Sequence, residues 1–131
     1  MFGFGTKAEL VFGSPIKPIK LTAKTIEIGR SEQAISLGKV GDKSLFYQFD
    51  GRKLLFKDNY YTHSISRNHC HLTWDNKSKR YLLTDYSRKG TWINGIKVGR
   101  VVNSTLENGD HVAIGSKDLK FEILYPRRFL F

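Results

Sequence analysis

Apolar and polar residues alternate along this chain in short runs separated by turn residues, and no stretch keeps the three-to-four spacing of an amphipathic helix. Residues 8–12 (AELVF) form one run, ended by Gly13-Ser14-Pro15. Residues 15–21 read as an edge strand or extended segment, since Pro15 and Pro18 exclude a central strand. Lys24 to Ile28 is a strand that stops at Gly29-Arg30. The runs 44–49 (SLFYQF) and 52–56 (RKLLF) flank Asp50-Gly51, a strong hairpin signal because both residues tolerate positive φ. Residues 69–74 (HCHLTW) and 80–84 (RYLLT) alternate with period two across a polar loop, 75–79. Residues 91–93 and 97–98 flank Asn94-Gly95, a second hairpin turn, and 105–106, 111–114 and 119–124 complete the series. About ten or eleven short strands with tight turns predict a single all-β domain built as a two-sheet β-sandwich.

Composition agrees. With 131 residues, 40% of them hydrophobic and 13% aromatic, the chain can build one core without disulfides or a metal. The single cysteine, Cys70, has no internal partner, which favours a reducing compartment, nucleus or cytoplasm. No apolar run approaches the roughly 18–20 residues of a membrane span, and the start MFGFGTKAEL lacks the features of a signal peptide. Neither secretion nor a membrane role is expected. The end, Arg127-Arg128-Phe129-Leu130-Phe131, reads as part of a linker (125–131) into a longer parent chain. The formal net charge of +10 favours anionic partners, whether nucleic acid, acidic membrane or phosphorylated protein, and charge alone does not choose among them.

Placement narrows the choice. Three polar and basic islands fall at strand ends: Gly29-Arg30, then 64–69 (SISRNH), then 85–95 (DYSRKGTWING). If loops at one end of a sandwich bring them together, Arg30, Ser66, Arg67, Arg88 and Lys89 make a cationic cup with a hydroxyl donor. Guanidinium groups present a planar fork of donors that matches phosphate oxygens, so such a cup suits a phosphate monoester.

The order Gly-Arg, Ser-Arg-x-His, Asp-x-Ser-x-x-Gly-Thr-Trp-Ile-Asn-Gly and Leu-x-x-Gly-Asp-x-x-x-x-Gly (Leu106, Gly109, Asp110, Gly115) resembles a forkhead-associated (FHA) domain from about Ile26 to Leu124. The resemblance implies an FHA/SMAD-like sandwich of eleven strands that binds phosphothreonine peptides through loops at one end. By position it implies phosphate contacts from Arg30, Ser66, Arg67 and Arg88, and peptide contacts from Lys89, Gly90, Ser64 and Lys117. Gly29, His69, Asn94 and Gly95 become structural supports. FHA domains often accompany kinase domains in checkpoint and meiotic signalling, and SISRNHC resembles that subgroup; a nuclear site would follow. Two departures stand out. Lys89 occupies the position where the family usually has an Asn that bonds the peptide backbone. Arg30 and Ser66 are 36 residues apart, wider than the family pattern, with the 44–56 hairpin as an insertion in the gap.

Rival chemistry is weaker. His63, His69, His71 and Cys70 suggest a metal, but His69 and His71 would share one strand face and Cys70 the other, with no further Cys or carboxylate cluster to complete a site. Cys70 in an alternating apolar strand suits a packed thiol better than a nucleophile. Asp85 and Asp110 lie at turns, where aspartate bonds backbone amides. Trp74 and Trp92 are expected in the core. No kinase nucleotide loop or catalytic Asp motif is present in these 131 residues, so the domain reads as non-catalytic, without cofactor or metal. An electrostatic nucleic-acid-binding β-domain is the second reading, and a structural or dimerising FHA domain without peptide binding the third.

Overall fold

The computed structural model describes residues 5–13, 16–32, 38–39 and 46–130. Among them thirteen strands form two sheets. The six-stranded sheet runs in the order β10 (Ile96–Lys97), β9 (Thr91–Ile93), β12 (His111–Ile114), β13 (Lys120–Leu124), β1 (Ala8–Val11), β2 (Ile19–Leu21). The seven-stranded sheet runs β11 (Asn103–Thr105), β8 (Arg80–Asp85), β7 (Cys70–Asp75), β3 (Thr25–Ser31), β6 (Lys53–Lys57), β5 (Phe46–Phe49), β4 (Gly38–Lys39). The expected all-β sandwich is therefore found, with two more strands than the family count of eleven. β4 had no sequence signal, and Ser14, Pro15, Ser44 and Leu45 of the expected runs lie outside the described residues.

The period-two reading holds where it was clearest. In β7 Cys70, Leu72 and Trp74 are buried and His71, Thr73 and Asp75 are not. The core lies between the sheets, with Leu10, Val112, Ile114, Phe121 and Ile123 from the first facing Ile26, Ile28, Leu54, Phe56 and Leu83 from the second. Two tyrosines are buried with their hydroxyls satisfied. Tyr81 donates to the carbonyl of Ala23 at 2.6 Å, and Tyr125 donates to that of Leu106 at 2.6 Å while accepting from the Tyr81 amide. Burial pushes both phenols above the ordinary tyrosine range.

Both predicted hairpins form. Asp50 Oδ1 accepts from the amides of Arg52 and Lys53, which holds its carboxyl below the usual range, and Gly51 takes the positive φ. At Asn94-Gly95 both residues have positive φ, 51° and 82°, as the tight turn between β9 and β10 requires. The 44–56 hairpin does not stand apart from the body. β6 pairs in parallel with β3 along Glu27–Ser31 and sends Leu54 and Phe56 into the core. Residues 125–130, read from sequence as a linker, pack on the sandwich. Tyr125 is buried, the Phe129 ring lies 5.1 Å from Trp74, and Arg80 and Arg128 bond the carbonyls of Phe129 and Thr6.

An interior β6 has a measurable consequence. Phe56→Ala should destabilise the domain by about 3–5 kcal/mol through lost burial and a residual cavity. Tyr60→Ala, at the exposed start of the 3-10 turn Tyr60–Thr62 beyond β6 (84% exposed), should stay within about 0.5 kcal/mol. Urea unfolding midpoints of the two variants check this.

Candidate functional site

Gly29, third from last on the site end of β3, allows the whole arrangement. A Cβ there would sit 1.8 Å from the Arg67 carbonyl oxygen, so only glycine lets the 66–67 backbone cross the strand. The next residue, Arg30, is held by two acceptors. Its Nε donates to the Ile65 carbonyl at 2.7 Å, and NH1 pairs with Asp58 Oδ1 at 2.7 Å. Ile65 is fully buried, and the Asp58 amide bonds the Ser31 carbonyl, so both acceptors are anchored to the sandwich. The guanidinium is thereby fixed in direction while its side chain stays 18% exposed.

Ser66 lies beside it. Its amide donates to His69 Nδ1 at 3.0 Å and its Oγ accepts from the Arg88 amide at 3.0 Å, which leaves the hydroxyl proton to point elsewhere. His69 Nε2 donates to the Gly90 carbonyl at 3.0 Å, and the Gly115 amide donates to the same oxygen at 3.0 Å. Because Nδ1 accepts from an amide, His69 is the neutral Nε2–H tautomer. Burial lowers its pKa, against smaller opposing effects from the Gly90 bond and Asp85. The residue precedes β7 and is buried, whereas His71 faces outward and bonds Asn68, so the period-two face shared by the two histidines does not extend to His69.

The 85–91 loop is knitted internally. Asp85 accepts from the Ser87 amide and the Thr91 hydroxyl, Ser87 Oγ accepts from the Gly90 amide, and Arg100 reaches the carbonyls of Tyr86 and Ser87. Asp110 caps its own turn through the Glu107 amide. Burial drives the Cys70 thiol far above its ordinary pKa, which suits packing and not nucleophilic attack. Asp85, Asp110 and Cys70 are all committed to structure.

The three islands thus converge at one end of the sandwich. Arg30, Ser31, Glu32 and Arg67 line an open cavity of about 220 Å³ there. Arg67 and Glu32 form an exposed pair at 3.0 Å, which contributes little. Arg88 and Lys89 are exposed at the neighbouring loop tip, and Ser64 sits under Gly115, whose φ of 74° and close approach to the Ser64 carbonyl demand glycine. In this cavity an anion with several oxygens would meet the Arg30 and Arg67 guanidinium groups, with the Glu32 carboxylate against them, and the Ser66 hydroxyl belongs to the adjoining loop. Three expected residues lie elsewhere. Asn94 and Gly95 close the far end of β9, where Asn94 bonds Asp110 and the His111 amide. Lys117 lies in the turn after β12 and lines a different groove, on the sheet face. Asp58 was not foreseen; an aspartate after a strand carries no signal that it will reach across to Arg30.

The sequence pattern of the FHA domain matches residues 26–115. The chain belongs to the FHA domain family. No curated protein matches it in sequence. Among solved structures it is similar to an engineered FHA domain with a Myc-pTBD peptide (TM-score 0.63, 17% identity, 95% of each chain covered). It is also similar to the N-terminal FHA domain of S. cerevisiae Rad53p in complex with a phosphothreonine peptide (TM-score 0.60, 18% identity, 93% of this chain and 95% of that one). A third is the MEK1 FHA domain in complex with a phosphothreonine peptide of HOP1 (TM-score 0.58, 18% identity, 92% and 97%). At these identities the likeness establishes the fold, and an FHA domain is a non-catalytic binding module.

The FHA scaffold yields two expectations. Gly29→Ala should lower the unfolding midpoint and shift the amide NMR signals of Ser66 and Arg67, because a backbone atom and not a yielding side chain blocks the new methyl. For His69 the folded pKa lies below the ordinary 6.5, so on acidification the unfolded chain takes the proton first. Its contribution to stability is full above about pH 6.5 and falls from there toward the folded value, by at most about 1.4 kcal/mol per pH unit. The difference between wild type and His69→Gln, in urea melts at pH 7.5 and 5.5 (conditions about a unit either side of the histidine range), isolates the effect.

Proposed function

We propose that this FHA domain captures phosphothreonine-containing segments of partner proteins at the Arg30–Ser66 end of the sandwich. The observation that carries the reading is Arg30, whose guanidinium is oriented by the Ile65 carbonyl and Asp58 before any ligand arrives. A donor fork already aimed loses little side-chain freedom on binding. Ser66 adds a hydroxyl donor, and Arg67 and Arg88 add charge within the same loop cluster. Lys89 and Ser64 would meet the peptide on either side of the phosphate, with Lys117 further along, whereas Gly90, buried and bonded through both its amide and its carbonyl, shapes the loop and does not touch the peptide. Lys89 can donate to a peptide carbonyl but cannot accept from its amide, so backbone recognition here is one-sided and acid on the partner is favoured.

The Rad53p and MEK1 domains, both solved with phosphothreonine peptides, support the same ligand class for this chain. We extend the reading to a setting in a larger signalling protein such as a checkpoint or meiotic Ser/Thr kinase, in the nucleus. The extra methyl of threonine would fill a small pocket that serine leaves empty.

Calorimetric titration with peptides selected from an oriented phosphothreonine library tests this. Arg30→Ala should weaken binding at least about 30-fold, since charge-assisted bonds contribute about 1.5–3 kcal/mol each. Unphosphorylated peptides should not bind. Undiminished affinity in a folded Arg30→Ala protein would overturn the reading. Steep salt dependence on duplex DNA, with no competition from the peptide, would favour the nucleic-acid alternative.

A further inference from the structure

Trp92 does not join the core. In β9 the Thr91 side turns inward, and Trp92 stands on the outer face of the six-stranded sheet, half-buried. Register places it in a cross-strand row, Lys97–Trp92–Ala113–Lys120, with all four on that face. Same-face neighbours in adjacent strands are within contact distance. Ala113 is too small to fill its place in the row, and a groove of about 380 Å³ results, larger than the cavity at Arg30.

The lining has a definite chemistry. Indole and alanine methyl make the floor, and His111, Lys117 and Lys120 stand at its edge. Lys97, on the neighbouring strand and outside the lining, holds its ammonium 5.9 Å from the Trp92 ring. No carboxylate is among the described residues that line it; Glu122 pairs with His111 in the next row and Asp118 follows Lys117 in the turn. An apolar floor under a cationic rim fits an extended segment that carries an aromatic or aliphatic side chain between carboxylates. A second copy of this chain is disfavoured, because two molecules of charge +10 repel.

The groove adjoins the loop cluster. Trp92 follows Gly90 by two strand residues, roughly 7 Å. The Lys97 side chain lies over Gly90, where a Cβ would meet its Cε at 2.5 Å. We propose that the Trp92 groove is a second docking site for the same partner, taking an acidic, apolar-bearing segment that flanks the phosphothreonine. The flank docks its apolar side chain on the indole while its carboxylates face Lys117 and Lys120. This rests on the phosphothreonine reading above for the partner's other contact, and the test separates the two.

The test compares a short phosphothreonine peptide with versions lengthened at either end by about six residues alternating Glu and Phe, titrated into the 131-residue chain. One lengthened peptide should bind about 10-fold tighter than the short one. Trp92→Ala and Lys120→Glu should each reduce that gain to within about 2-fold and leave the short peptide's affinity unchanged. Equal binding of short and long peptides, or a gain that survives both substitutions, overturns the proposal. If no phosphopeptide binds, the phosphothreonine reading fails by itself. The unphosphorylated Glu/Phe flank is then titrated alone while the Trp92 indole NMR signal is followed, assigned with Trp92→Phe. A shift abolished by Lys120→Glu supports the groove as an acidic-segment site, and no shift overturns it. Self-association in sedimentation that Trp92→Ala removes would also overturn it, since a second copy would then be the occupant.

Discussion

The carbonyl oxygen of Gly90 is the point on which the binding end of this domain depends. Two donors from different loops meet there, His69 Nε2 and the Gly115 amide, while the other nitrogen of the same imidazole receives the Ser66 amide. One neutral, fully buried ring therefore sets the distance between the serine loop and the 85–90 loop. Its hydrogen bonds leave no room for a second ring proton. Removing the ring would strand an amide and lose one of two donors on a carbonyl inside the protein, a larger cost than the bonds themselves contribute. The loops are exposed at their tips, yet their bases are held as firmly as a core.

Glycines make that hub reachable. Gly29 lets the Ser66–Arg67 backbone lie against β3, and Gly115 lets the turn after β12 lie against Ser64. Each contact is backbone on backbone, too close for any side chain. With the loop bases so close, Arg30 can be gripped from the side by Ile65 and Asp58 and needs no long reach. The cations divide accordingly. Arg30 is partly buried, paired and directed, whereas Arg88 and Lys89 are solvated charges at a loop tip, suited to attracting an anion more than to fixing its orientation.

Much of this was legible. Asp50-Gly51 and Asn94-Gly95 announce their hairpins because few dipeptides take the φ values that such turns impose. The alternation in 70–75 announces a half-buried strand. Sequence order carried the islands at Arg30, Ser66 and Gly90, which the fold brings together. What failed to show has physical reasons. Parallel pairing of β3 with β6 joins segments separated by two other strands, and local pattern says nothing of partners. Asp58 is one more polar residue in a loop until the fold presents it to Arg30. The tail 125–130 is basic and apolar, which suits a linker as well as a docked cap, and only the place left beside Trp74 decides.

Trp92 shows why period two is half a statement. Alternation separates the faces of a strand but does not say which face is inside when both carry apolar mass. In TWI the two faces offer Thr91 and Ile93 against Trp92, and hydrophobicity alone favours burying the indole. The neighbours decide otherwise. Val112 and Ile114 of β12 are buried, so the registered partner of Trp92 has to be Ala113, on the opposite face. Burying the indole would turn Thr91 outward and break its bond to Asp85, which shapes the recognition loop. The outward tryptophan is thus a consequence of the same hydrogen bonds that build the loop, and the lysine stem drawn over it partly covers the apolar surface this leaves.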